Sequence, residues 1–369
     1  MNQYPNNFNY PGNQNNQNNQ YYQYNQYPPY PNGYYPPNHQ YNAEMQERLR
    51  INMLRRKERN AIIADGFIIG ATIIAMIVVE FIVVLMLQKS DAYAVYNSSS
   101  TFQNFFNVIA VHLLSLAVPF SLMALILKKR FTTPLIPTKK IGAAKTAAWV
   151  AVGMGVCMAA NFITNGVIKL FDIFGYKLTQ PELIKPDSII ALISVFISTS
   201  LVPAIFEEYA FRCCTLGVLR RYGKGFAVVA VSIVFGLIHQ NVIQFVFAFL
   251  VGLILGYVTV VTDSVIPAMI IHGINNGISV LGDVVTYFSK SDKLANTVEG
   301  YVIMAFIALS IAGLIYLIVN RELLPKKEEI KEEKPYKISF GVKLACLLPG
   351  FAIPFLILIA FTSQFIQKK

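Results

Sequence analysis

A series of long apolar runs constrains this chain more than any other feature of its sequence. They lie at about 66–87, 105–127, 146–168, from near Ser188 onward, 226–238, 245–261, 265–285, 301–319 and 344–361. Most reach about 18–25 residues, the length a helix needs to cross a hydrocarbon core. Backbone groups in lipid must be satisfied within the segment, so these runs are expected to be helices. The predicted fold is all-α: a polytopic transmembrane helical bundle of eight or nine helices, the final run deciding the count. Composition agrees. Only 14% of residues are charged and 54% are hydrophobic, whereas a soluble domain carries about 25% charged residues.

The net charge is +11, and its placement matters more than its size. Arg48, Arg50, Arg55, Arg56, Lys57 and Arg59 precede the first run. Lys128, Lys129, Arg130, Lys139 and Lys140 follow the second, and Arg220, Arg221 and Lys224 follow the fourth. The positive-inside rule puts such loops in the cytoplasm. A multi-pass protein of the cell membrane with a cytoplasmic N-terminus is expected, in contact with lipid. Lys368 and Lys369 fit less well, because a ninth span would place them outside. No basic, aromatic-interleaved folded segment points to nucleic acid.

Residues 1–43 contain Asn, Gln, Tyr and Pro but no Lys, Arg, Asp or Glu, and are expected to form a disordered, solvated tail. No basic region followed by an apolar stretch opens the chain, so the first span is expected to direct insertion. The expected organisation continues with a basic juxtamembrane helix at 44–60 and an N-terminal transmembrane hairpin with its loop at 61–145. A core at 146–290 and C-terminal transmembrane helices at 291–369 complete it. Cys157, Cys213, Cys214 and Cys346 lie in or beside apolar runs, without disulfide-framework spacing. They are read as small apolar fillers rather than metal ligands.

Ionisable side chains within spans are costly and usually functional. They concentrate between Leu201 and Asn276, in Glu207-Glu208-x-x-x-Arg212, Phe235-x-x-x-His239 and His272-x-x-x-Asn276. Glu207 and His239 each lie about 14 residues, or about 20 Å, from the basic turn at Arg220–Lys224, so a helical hairpin brings them to equal depth. His272 lies about 12 Å beyond the next turn, an offset that helix tilt accommodates. Glu208 and Arg212 are i,i+4 partners suited to an ion pair. Glu207 points about 100° away from Glu208. His272 and Asn276 share a helix face, and Phe235 can pack on the His239 ring. A Glu can take a proton from water beside a His, and a His with an Asn can donate to an oxyanion. Alternatively, Glu207, His239 and His272 can hold a divalent metal such as zinc. The residues alone leave both routes open.

These three motifs, in this order on three apolar helices, resemble the CAAX-processing and bacteriocin-processing (CPBP, or Abi) family, whose eukaryotic branch is the type II CAAX prenyl endopeptidases. The resemblance covers about residues 146–290. It implies an intramembrane endopeptidase acting on membrane-associated, lipid-tailed or hydrophobic peptides. Carried over, Glu207 activates water with His239 beside it, and His272 and Asn276 form the oxyanion site or bind the metal. Glu208 and Arg212 take structural or orienting roles. The family name says metalloprotease, and a metal-free glutamate mechanism is equally consistent with the motifs.

Other readings compete. A non-catalytic membrane scaffold or a bacteriocin self-immunity protein would keep these residues for stability, since polar residues join membrane helices. A transporter would use Glu and His as a proton relay, but no convincing internal repeat supports one. Glu80 and His112 are read as structural, with substrate access as the alternative. Asn161 and Asn165 are read as interhelical contacts.

Overall fold

The computed structural model describes residues 38–131, 134–180, 185–323 and 334–368. Ten helices are present among them. In chain order these are α1 (Asn38–Gln88), α2 (Ala92–Ser98), α3 (Ser100–Ile126), α4 (Ala143–Ile173) and α5 (Ile189–Tyr222). There follow α6 (Lys224–Leu237), α7 (Val242–Thr262), α8 (Ile266–Ser289), α9 (Asp292–Val319) and α10 (Phe340–Ser363). Two short strands, β1 (Tyr176–Leu178) and β2 (Ile366–Lys368), pair antiparallel. Eight helices, all but α2 and α6, are long and apolar enough to cross a membrane. The chain is a multi-pass, all-α membrane protein.

The doubtful crossing is not the one the sequence suggested. The final run becomes α10, 24 residues long. The short element is α6, whose 14 residues rise only about 21 Å. Polar residues end it. Gln240 adopts φ +53°, and Asn241 caps α7 by accepting from the amides of Ile243 (2.9 Å) and Gln244 (3.2 Å). An Asn cap satisfies amides that the first helical turn leaves without partners.

The chain divides into two compact units, Met1–Asn52 and Met53–Lys369. The described part of the first is the opening of α1, which carries an exposed Arg50–Glu47 ion pair at 3.5 Å. The tail expected at 1–43 lies outside the described residues as far as 37, and from Asn38 the chain is helical. The basic helix expected at 44–60 runs into the first span without a break.

In the second unit, one core cluster joins α1, α3, α5 and α6. Phe211 stands edge-on to Phe120 (5.4 Å) and to Phe235 (5.2 Å) within it. A second cluster joins α4, α7 and α8 around Trp149, Met154, Leu255 and Ile271. Helices α1 and α10 touch backbone to backbone: a Cβ on Gly70 would run into the Gly350 carbonyl oxygen. Small residues at this spacing let membrane helices approach closely.

The two ends of this unit differ in charge. At one end Asp65 is fully buried and bonds Arg130, Arg221 and, at 2.7 Å, the Tyr222 hydroxyl. Arg220 pairs with Asp263 at 3.0 Å there. At the other end Lys368 pairs across the strands with Tyr176, and Asn241 donates to the Thr179 carbonyl at 2.7 Å. Lys368 therefore lies at the end opposite the basic loops. The short hairpin of α6 and α7 still reverses the chain twice, so the parity of a nine-crossing count is kept.

Candidate active site

The site is built on an irregular helix. In α5, π-helical turns at Phe196–Leu201 and Tyr209–Thr215 flank the α-helical segment Val202–Glu208. Such bulges re-aim side chains and recur at functional sites. Pro203 has no N–H to send to the carbonyl four residues back, which is that of Thr199. Asn276 Nδ2 on α8 donates to this carbonyl at 3.0 Å, and Ser200 Oγ donates to the Gly273 carbonyl at 2.7 Å. These bonds tie α8 to α5 beside the acidic pair.

Glu207 and Glu208 diverge, as their spacing requires. The Glu208 side chain is fully buried, and its Oε1 accepts from Arg212 at 3.0 Å and from His272 Nδ1 at 2.8 Å. Glu207 faces a cavity of about 600 Å³ lined also by Phe235, His239, His272, Asn275 and Asn276. Its Oε2 is buried without a hydrogen-bond partner and lies 3.9 Å from His272 Nε2. An unpaired buried carboxylate oxygen is costly. Here it is aimed at space where a polar reactant fits.

The histidines share one arrangement. His239 is not within a helix; it sits in the turn after α6, where its Nδ1 bonds the Phe235 carbonyl at 2.7 Å. A carbonyl only accepts, so Nδ1 carries the proton, and the neutral ring keeps its lone pair on Nε2. The last carbonyls of a helix lack intrahelical partners, and this bond satisfies one of them while fixing the ring. His272 gives Nδ1 to the Glu208 carboxylate in the same way, which leaves Nε2 towards Glu207. Phe235 braces the group, 5.1 Å from the His239 ring, 6.0 Å from the His272 ring and 4.3 Å from the Arg212 guanidinium carbon. The last contact is a cation–π arrangement.

All seven residues expected from the motifs are thus gathered around one cavity or directly behind it. Three further residues, which the sequence alone reads as structural, join them. His112, on a π-helical stretch of α3 (Val108–Ala117), places Nε2 3.7 Å from Glu207 Oε1. Asn161 and Asn165 on α4 line the cavity. An intramembrane histidine is the only sequence signal for His112, and nothing in its spacing ties it to Glu207.

Whether a metal fits depends on the donors. Neutral Nε2 atoms and a carboxylate are suitable ligand types. Among the described residues, however, no group of three His, Cys, Asp or Glu side chains is placed to hold a metal ion. The Glu207, His239, His272 set therefore lacks metal-site geometry.

Residues 189–278 match the family model described as type II CAAX prenyl endopeptidase Rce1-like. This segment is related to the CAAX proteases. It runs from the start of α5 into α8 and contains Glu207, Glu208, Arg212, Phe235, His239, His272 and Asn276. It supports a protease function of the CAAX type in general. His112 and the other helices lie outside the match. No curated protein and no solved structure matches the chain.

Proposed function

We propose that the protein is an intramembrane endopeptidase that hydrolyses peptide bonds in membrane-associated, lipid-tailed or hydrophobic peptides. Residues 146–290 form its catalytic core. The observation that carries this reading is the unpartnered Glu207 Oε2 in a cavity shared with His239, His272 and Asn276. A water held between Glu207 and His239 Nε2 loses a proton to the Glu207 carboxylate, and its oxygen attacks the scissile carbonyl. His272, its Nδ1 held on Glu208, donates from Nε2–H to the oxyanion when the ring carries both protons. The second Nδ2 proton of Asn276 supports the same oxygen, the first being engaged by Thr199. The proton then passes to the leaving amine. Glu208, Arg212 and Phe235 position His272 and His239. The basic end of the bundle faces the cytoplasm, by the positive-inside rule, and so does the N-terminus.

The competing reading, a scaffold or self-immunity protein, draws on the same bonds between helices, above all Asn276–Thr199 and His272–Glu208. The two are separated by offering a quenched hydrophobic-peptide library to purified protein in detergent, with Glu207→Gln alongside and with and without chelator. Cleavage by the parent protein alone, unaffected by chelator, is expected. Cleavage abolished by chelator and restored by metal would replace the metal-free route. No cleavage beside full biological function in the variant would favour the scaffold.

A further inference from the structure

Helix α8 carries a polar stripe although it is long and apolar enough to cross a membrane. His272, Asn276, Ser279, Asp283 and Thr286 follow one another every three or four residues, which keeps them on one face. The first three line the catalytic cavity, and the last three line a second cavity of about 510 Å³. Ser279 and Glu299 of α9 line both, so the two spaces meet at these side chains.

The second cavity lies at the end away from the basic loops. Helix α8 begins beside Asp263, the partner of Arg220, and Ser264, which bridges to Thr138. Its 24 residues rise about 36 Å from there. Helix α9 returns, and just past its end Glu322 pairs with Lys145 at the start of α4. The turn from Ser289 to Asp292 is therefore at the opposite end, and Lys290 and Asp292 of this turn line the second cavity.

Glu299 lies seven residues into α9 from Asp292, and Gly282 lies seven residues back along α8 from Ser289. Both are thus about 10 Å from that turn. They touch: a Cβ on Gly282 would run into Glu299 Oε1. The bare glycine lets the carboxylate lie in the gap between the two helices. Among the described residues the Glu299 carboxylate has no hydrogen-bond or ion-pair partner. An unpaired carboxylate within a span is costly and usually functional. No Lys or Arg lines the catalytic cavity, whereas Glu207 and Glu299 both do. Lys185 and Lys290 line only the outer space.

We propose that substrate reaches Glu207 from the side opposite the basic loops, through the gap between α8 and α9. Glu299, at the neck of this opening, binds a positively charged group of the substrate, an ammonium or guanidinium near the scissile bond. Asn161, Asn165 and Gln244, further in, offer amide hydrogen bonds to the backbone of the entering peptide. That the entrant is a peptide rests on the hydrolase reading above; the opening and its preference for cations do not.

Single cysteines read the opening without any substrate, which separates failure of this proposal from failure to find a cleavable peptide. Ser279→Cys marks the neck, and Lys140→Cys, in an exposed basic loop, marks the other side. The four native cysteines, three of them buried, give the background in the parent protein. Right-side-out and inverted membrane vesicles are treated with membrane-impermeant methanethiosulfonates of positive or negative charge, each rate scaled to that with a free thiol. Ser279→Cys is expected to react from the side opposite Lys140→Cys. One charge about 6 Å away in a water-filled gap changes each rate about threefold, so the cation is expected to react about tenfold faster than the anion. Adding Glu299→Gln is expected to remove most of that preference. Reaction of Ser279→Cys from the same side as Lys140→Cys would overturn the proposed opening. So would no reaction from either side by a thiol that reacts once the protein is unfolded. A cation preference unchanged in Glu299→Gln would overturn the role of Glu299.

Discussion

His272 Nδ1 lies 2.8 Å from Glu208 Oε1, the same oxygen that receives Arg212 at 3.0 Å. One buried carboxylate oxygen therefore joins a helix-internal ion pair to a histidine 64 residues away in sequence. The second glutamate of the motif thereby fixes which nitrogen of His272 faces Glu207. Glu208→Ala would leave the Arg212 charge buried and unpaired, a loss of about 3–5 kcal/mol. Thermal unfolding in detergent should show this as a large drop in Tm. An unchanged Tm would mean that the pair is not buried as described.

Asn276 and Pro203 should be coupled. Asn276→Ala strands the Thr199 carbonyl and should cost about 1–3 kcal/mol. Adding Pro203→Ala supplies an N–H four residues on from Thr199, so the double variant should regain stability. It should not regain peptide cleavage, because the oxyanion donor is still absent. A double-variant cycle of unfolding free energies together with cleavage rates checks both halves.

Phe235 touches His239, His272 and Arg212 at once. Phe235→Leu keeps most of the volume but loses the ring face, for a combined loss of about 2 kcal/mol. Cleavage should fall as well, because both imidazoles lose their brace. Denaturant titration beside rate measurement tests this; a variant with wild-type kcat would remove Phe235 from the site.

Much of this was legible in the sequence. Run length and charge placement identify the spans because lipid leaves the backbone little choice. The i,i+4 spacings identify Glu208–Arg212 because helix geometry is fixed locally. What escaped depends on departures from the regular helix. His239 lies in a turn created by Gln240 and Asn241. The Thr199 carbonyl becomes an acceptor only through Pro203. His112 reaches Glu207 from a π-helical stretch whose register a 3.6-residue period does not give. The 226–238 run is already too short for a full span, whereas run length leaves the final crossing, α10, undecided.

The contact of α1 with α10 can be tested by size alone. Gly70→Ala forces the helices apart at Gly350, and overpacking of this kind costs about 1–3 kcal/mol. Gly166→Ala on α4 meets nothing within 4 Å and should be neutral or slightly stabilising, by up to about 1 kcal/mol. Comparison of the two Tm values gives the answer, with Gly166→Ala as the internal control.

The central claim is that Glu207 is the base that activates water. The most direct measurement is the cleavage rate of a responsive hydrophobic peptide by Glu207→Gln, set against its Tm in the same detergent. A loss of at least about 100-fold is predicted, with the variant still cooperatively folded, since Gln keeps the shape of Glu and Oε2 has no hydrogen bond to lose. Cleavage at the parent rate by a fully folded Glu207→Gln protein would contradict it.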